Sequence, residues 1–142
     1  MNFAGTKWKY RAIADMDFET KSVTRSMDLR EYIEHLKRHA DPSRAREIEE
    51  DGRVMASSVI VLEPDGAIIS EFPESVCSPE MLKDFLEDSE CRVENGLVRV
   101  PHEFRHWEMR GGELYFGEDL VRILDSGTIS VLGGMVVFER LF

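Results

Sequence analysis

The stretch VRVPHEFRHWEMRGG, Val98 to Gly112, reads as the end of a strand, a proline and a short helix, and what that helix carries bears on both fold and function. His102-Glu103-Phe104-Arg105-His106 spells H-E-x-x-H, the pattern of a zinc-peptidase helix. There, two histidines one turn apart hold the metal and the glutamate acts as general base on its bound water. Read as a helix over residues 102–109, the segment sets Phe104 and Trp107 opposite His102 and His106. The aromatic pair would anchor the helix while the histidines look outward. Such a helix is short, because Pro101 opens it and Gly111-Gly112 closes it. A third ligand is also required. Met109 stands where the metzincin continuation needs glycine, and Glu113, Glu118 and Glu139 fall in or between predicted strands.

A hairpin precedes that helix. Cys91 to Glu94 and Leu97 to Val100 flank Asn95-Gly96, the preferred pair for a type I′ turn, and so predict a hairpin. Beyond Gly111-Gly112 the runs Glu113 to Phe116, Leu120 to Leu124, Thr128 to Leu132 and Met135 to Phe142 are separated by glycine-bearing turns. They read as an antiparallel meander.

Upstream, Lys7 to Phe18 alternates, with Trp8, Tyr10, Ala12, Ala14, Met16 and Phe18 on one side, and predicts a half-buried strand. Ile13 is the one apolar residue on the charged side, which points to partial cover there. Asp28 and Glu31 form a capping box for a helix to about His39, with Leu29, Tyr32, Ile33, Leu36 and Ala40 as its buried stripe. A second, surface helix is expected from Asp41-Pro42 to Asp51-Gly52. Val54 to Leu62 and Ala67 to Phe72, joined by Glu63-Pro64-Asp65-Gly66, predict a hairpin. Ser78 and Pro79 open a third helix ending by Asp88, with Met81, Leu82, Phe85 and Leu86 inward. The fold class expected is α+β: a mainly antiparallel sheet of hairpins plus a C-terminal meander, with two to four short helices, in a single domain spanning 1–142.

Charge narrows the function. The net charge is −10, and residues 47–90 carry thirteen acidic side chains against two basic ones. That surface repels a phosphate backbone, so nucleic acid is disfavoured. No apolar run is long enough to span a bilayer, and the N-terminus has neither a basic start with an apolar run nor a cleavage site, so no membrane partner and no export are expected. Cys77 and Cys91 lack C-x-x-C spacing and read as reduced thiols, which suits the cytoplasm. All four histidines occur as i, i+4 pairs, His35 with His39 and His102 with His106, and two facing pairs would fill a tetrahedral structural zinc site. On the first helix His35 and His39 lie off the apolar stripe, where solvent is the usual neighbour.

The segment NGLVRVPHEFR, Asn95 to Arg105, also resembles the start of the swapped-hairpin, AbrB-like family of transcription factors and antitoxins, which often read G-x-V-x-I-P-x-E-L-R. Gly96, Val98, Val100, Pro101, Glu103, Phe104 and Arg105 occupy the matching places. The resemblance implies a dimerising element, a strand, proline and short helix in succession, and DNA contacts from Arg99 and Arg105. The surrounding acidity is unlike that family.

With no complete catalytic constellation, the function expected is a small acidic, soluble, non-catalytic binding, regulatory or assembly module for another protein, a second copy of the chain included. No catalytic residue and no cofactor are expected. The alternative is a zinc-dependent hydrolase with His102 and His106 as metal ligands and Glu103 as general base. The second alternative is an AbrB-like DNA-binding regulator.

Overall fold

The computed structural model describes residues 2–17 and 20–141. From Trp8 the chain builds a barrel, and the reason is legible in the pairing of its strands. Strand β1 (Lys7–Ile13) lies between β4 (Val59–Leu62) and β12 (Val136–Leu141), all antiparallel. From β4 the sheet passes to β5 (Ala67–Pro73), β7 (Leu97–Arg110), β8 (Glu113–Phe116) and β9 (Asp119–Leu120). From β12 it passes the other way to β11 (Thr128–Val131) and β10 (Arg122–Asp125). β9 and β10 meet in sequence at Val121, whose N–H donates to the Leu114 carbonyl at 2.9 Å. One interrupted strand therefore touches both ends of the sheet, and the sheet curls into a near-closed barrel of consecutive antiparallel strands. β6 (Arg92–Glu94) flanks β7, and β2 (Met16–Asp17) pairs with β3 (Ser22–Val23) as a separate ribbon.

The barrel is filled. Phe3, Trp8, Ile60, Leu62, Ile68, Leu114, Phe116, Ile129 and Phe138 are each no more than 2% exposed and form one cluster, with Tyr10, Phe104 and Trp107 packed against it. Trp8 is buried without an orphaned donor, because its Nε1–H donates to the Thr6 hydroxyl at 2.8 Å.

Helices occupy the two long connections. α1 (Leu29–His39) begins where the capping box predicts, with the Asp28 side chain accepting from the Glu31 N–H, and buries Ile33. α3 (Pro79–Glu87) is capped by Ser78, which accepts from the Met81 N–H. Of its expected inward residues Phe85 does pack, its ring 5.4 Å from that of Phe72, whereas Leu86 is 61% exposed. The hairpin around Asn95-Gly96 forms as expected, and both residues have positive φ, 53° and 77°. The C-terminal meander also forms, with its second run, Leu120 to Leu124, divided between β9 and β10.

Three expectations are corrected. First, α2 (Ala45–Ser57) does not stop at Gly52; it continues to Ser57, so β4 begins only at Val59. Gly52 is a contact rather than a stop, since a Cβ there would lie 2.5 Å from Cδ1 of Ile33. The absence of a side chain lets α2 approach α1. Second, the N-terminal strand ends at Ile13. An extra residue between Tyr10 and Ala12 resets the alternation, so Ile13 lies across from Val136 and is buried with the inward residues. Met16 belongs to β2, and Phe18, expected in the same strand, lies outside the described residues, as does Phe142.

The third correction concerns the helix expected over residues 102–109. Those residues lie inside β7, a 14-residue strand running through Pro101 without interruption. Ile69 of β5 faces Pro101 and Ala67 faces His106, so five steps along β7 match two along β5. The excess is accommodated in a bulge where Arg105 takes φ 67°. Val98, His102 and Phe104 keep the alternation up to the bulge, and Trp107 resumes it one residue late. Two inward aromatics thus fall three apart, a spacing that imitates a helical face. The short helix implied by the AbrB-like resemblance is absent for the same reason.

Candidate functional site

His102 is the one strongly polar side chain that β7 sends into the barrel, and it is 6% exposed. Its ring stacks on Phe104 at 5.5 Å, and Phe104 in turn meets Phe116. Nδ1 accepts a hydrogen bond from the Phe104 backbone N–H at 3.2 Å. Nε2 lies 3.4 Å from the Tyr10 hydroxyl, across the barrel interior from β1. With Nδ1 engaged as an acceptor, the neutral ring carries its proton on Nε2, which donates to the Tyr10 oxygen. The phenolic proton of Tyr10 is then left for another acceptor.

Both groups are held neutral. Burial pushes the His102 imidazole below its ordinary value, against the opposing pull of the neighbouring Glu103 carboxylate. Burial, with the same carboxylate adding to it, raises the Tyr10 phenol to about 12. The pair opens onto a cleft of about 260 Å³ between α2 and the barrel, walled by Val54, Met55, Phe72 and Phe85. Two acids complete its lining, Asp51 from α2 and Glu103 from β7. Asp51 titrates above the ordinary aspartate value, first because burial disfavours its charge and then because Glu47 and Glu50 are near. Among the described residues neither Asp51 nor Glu103 is in an ion pair. The cleft is an apolar slot with an acidic lip, whose Asp51 feels only the partial opposing pull of Arg44.

The structure does not bring His102 and His106 together. Regular alternation sends His102 inward, and the bulge at Arg105 turns His106 to the other face of the sheet, where it is exposed and paired with Ala67. No group of three or more His, Cys, Asp or Glu side chains among the described residues is placed to hold a metal ion. His35 and His39 do sit one turn apart on α1, their rings 4.5 Å apart, but His35 is only 16% exposed and turns its Nε2 to Asp15 at 3.3 Å. It is covered rather than solvent-facing. The two arginines singled out by the AbrB-like resemblance are both occupied by carboxylates: Arg99 by Glu63 and by Glu71 at 2.9 Å, and Arg105 by Glu90.

Sequence reading missed Tyr10 and Asp51 as site residues. A signal for Tyr10 existed, since a tyrosine on an inward strand face needs a partner for its hydroxyl and His102 is the polar residue on the inward side of β7. Asp51 carried none. It looked like the end of a helix that in fact continues. The thiols of Cys77 and Cys91 are free, and burial, with nearby acids adding to it, raises both, so neither is an activated nucleophile. No described helix is long and apolar enough to cross a membrane.

No protein-family model matches the chain, and neither a curated protein nor a solved structure matches it.

Proposed function

We propose that this protein is a non-catalytic interaction module, and that it docks a segment of another protein in the cleft between α2 and the barrel. The segment carries an apolar side chain beside a lysine or arginine. One observation carries the reading: the slot walled by Val54, Met55, Phe72 and Phe85 is rimmed by Asp51 and Glu103, carboxylates with no ion-pair partner among the described residues. An apolar residue filling the slot would shed water from those walls, and a neighbouring cation would neutralise the lip. The net charge of −10 supports it, because a field of that sign draws a basic partner toward the molecule. Tyr10 supplies the remaining polar contact, its hydroxyl proton being free for a carbonyl of the docked chain.

The test uses a set of short synthetic peptides, each with one Leu or Phe flanked by lysines or arginines, and matched peptides flanked by glutamates. Basic peptides should bind, should shift the amide signals of residues around Phe85 and Glu103, and should weaken as salt is raised. Glu103→Lys should weaken binding on the order of tenfold or more. Equal affinity for acidic and basic peptides, or signals that move elsewhere, would overturn the reading.

A further inference from the structure

We infer that the protein pairs with a second copy of itself through β10, edge to edge and antiparallel, around a two-fold axis that passes between Ile123 and Leu124. The barrel leaves one strand with an open edge. β10 is bonded to β11 on one side and to no strand on the other among the described residues. All four of its residues are exposed, Ile123 by 46% and Leu124 by 56%. An open edge bearing two large apolar side chains is a template for another strand.

What identifies the occupant is the charge at the two ends. Arg122-Ile123-Leu124-Asp125 places a cation first and an anion last. In an antiparallel pair of identical strands, Arg122 of each copy comes opposite Asp125 of the other. Facing residues must also point to the same side of the sheet, and in a regular strand residues three apart do not. Here they do. Arg122 lies across from Ser130 and Asp125 across from Thr128, residues two apart on β11, because Leu124 is an extra residue in the β10 ladder. The bulge therefore returns Asp125 to the face of Arg122, and a two-fold axis normal to the sheet can close two Arg122–Asp125 pairs at once.

Charges on an edge strand ordinarily repel an incoming strand, as do bulges and short length. In this edge the charges are opposite in sign and self-complementary, and the bulge aligns them. Arg122 is in no ion pair among the described residues. Oδ1 of Asp125 accepts from the Gly127 N–H at 2.8 Å, and its carboxylate also accepts from the Thr128 hydroxyl and N–H with Arg11 nearby, so Arg122 of the other copy would meet a carboxylate already fixed in place. Only four residues pair on each side, so the dimer should be weak and concentration-dependent.

Two measurements test this on the full chain. In sedimentation velocity across a wide concentration range, a monomer–dimer equilibrium should appear, and Leu124→Lys should raise its dissociation constant on the order of tenfold or more, since a lysine would be buried at the axis. Leu124 is exposed in the single chain, so circular dichroism of that variant should match the parent. In the second, Arg122→Lys is mixed as isotopically light and heavy chains and treated with a water-soluble carbodiimide. A cross-link from the introduced amine to Asp125 of the other copy, joining one light and one heavy peptide, is expected. A monomer at every concentration, a dimer indifferent to Leu124→Lys, or mixed-isotope cross-links that avoid Asp125 would each overturn the inference.

Discussion

Nε2 of His102 lies 3.4 Å from the hydroxyl of Tyr10, a residue 92 positions earlier in the chain. That contact, with Nδ1 accepting from the Phe104 N–H, makes His102 a buried neutral base whose two nitrogens are both engaged. Burial lowers its proton affinity in the folded state, while the unfolded chain titrates near the ordinary value of 6.5. Below 6.5 the unfolded state therefore takes up the proton first, and this contribution to stability, full above that pH, is lost as pH falls toward the depressed folded value. The acid limb of a denaturation series should be flatter for His102→Gln than for the parent. His102→Ala should cost about 2–3 kcal/mol at neutral pH, by opening a cavity and leaving the Phe104 N–H unmet.

The alkaline side runs through the partner. Tyr10 is raised from 10.0 to about 12, so between those values the unfolded chain loses its phenolic proton while the folded one keeps it. Stability contributed by Tyr10 is present below pH 10 and declines as pH climbs through the folded value. Ultraviolet titration of the native protein should show a phenol ionising near pH 12. Tyr10→Phe should remove that step while keeping the ring against Phe138, 4.9 Å away. Glu103→Gln should move it toward lower pH, since the carboxylate contributes to the elevation.

Arg105 adopts φ 67° inside a strand, a conformation that costs an L-residue about 1–2 kcal/mol. Arg105→Gly should relieve that strain and lose only an exposed ion pair with Glu90, leaving the melting temperature unchanged or raised. Arg105→Val should lower it, because a β-branched residue tolerates positive φ worst. Were residues 102–109 helical, the order would reverse, since glycine would be the worse substitution. A pair of thermal melts distinguishes the two.

Local chemistry wrote much of this fold plainly. Asp28 with Glu31, Ser78 with Pro79, and Asn95-Gly96 each act within a few residues, so their elements appear where the pattern puts them. The errors arise where one residue answers to a distant one. Arg105 inserts into β7 opposite β5, and the resulting spacing of Phe104 and Trp107 looks helical. The site suffered similarly. His102 stood out by its letters, but its working neighbour is Tyr10 rather than His106, and Asp51 joins the cleft only because α2 runs on past Gly52. Closure of the barrel at Val121 left no local mark at all, since it depends on both ends of a sheet meeting.

Gly52 reports directly on how closely α2 approaches α1. A Cβ at this position would sit 2.5 Å from Cδ1 and 2.7 Å from Cγ1 of Ile33, itself only 5% exposed and unable to swing into solvent. In a free helix Gly→Ala stabilises by about 1 kcal/mol through propensity. Here overpacking, typically about 1–3 kcal/mol, opposes it, so Gly52→Ala should be neutral to destabilising. Ile33→Ala alone should cost about 2–4 kcal/mol for the cavity it opens. Combined, the two should cost less than their sum, because the new methyl occupies space that the isoleucine vacates. Chemical denaturation of the two single variants and the double variant measures the coupling. Strict additivity would mean that α1 and α2 do not meet at these residues, and a stabilised Gly52→Ala single variant would place Gly52 on an open helix surface.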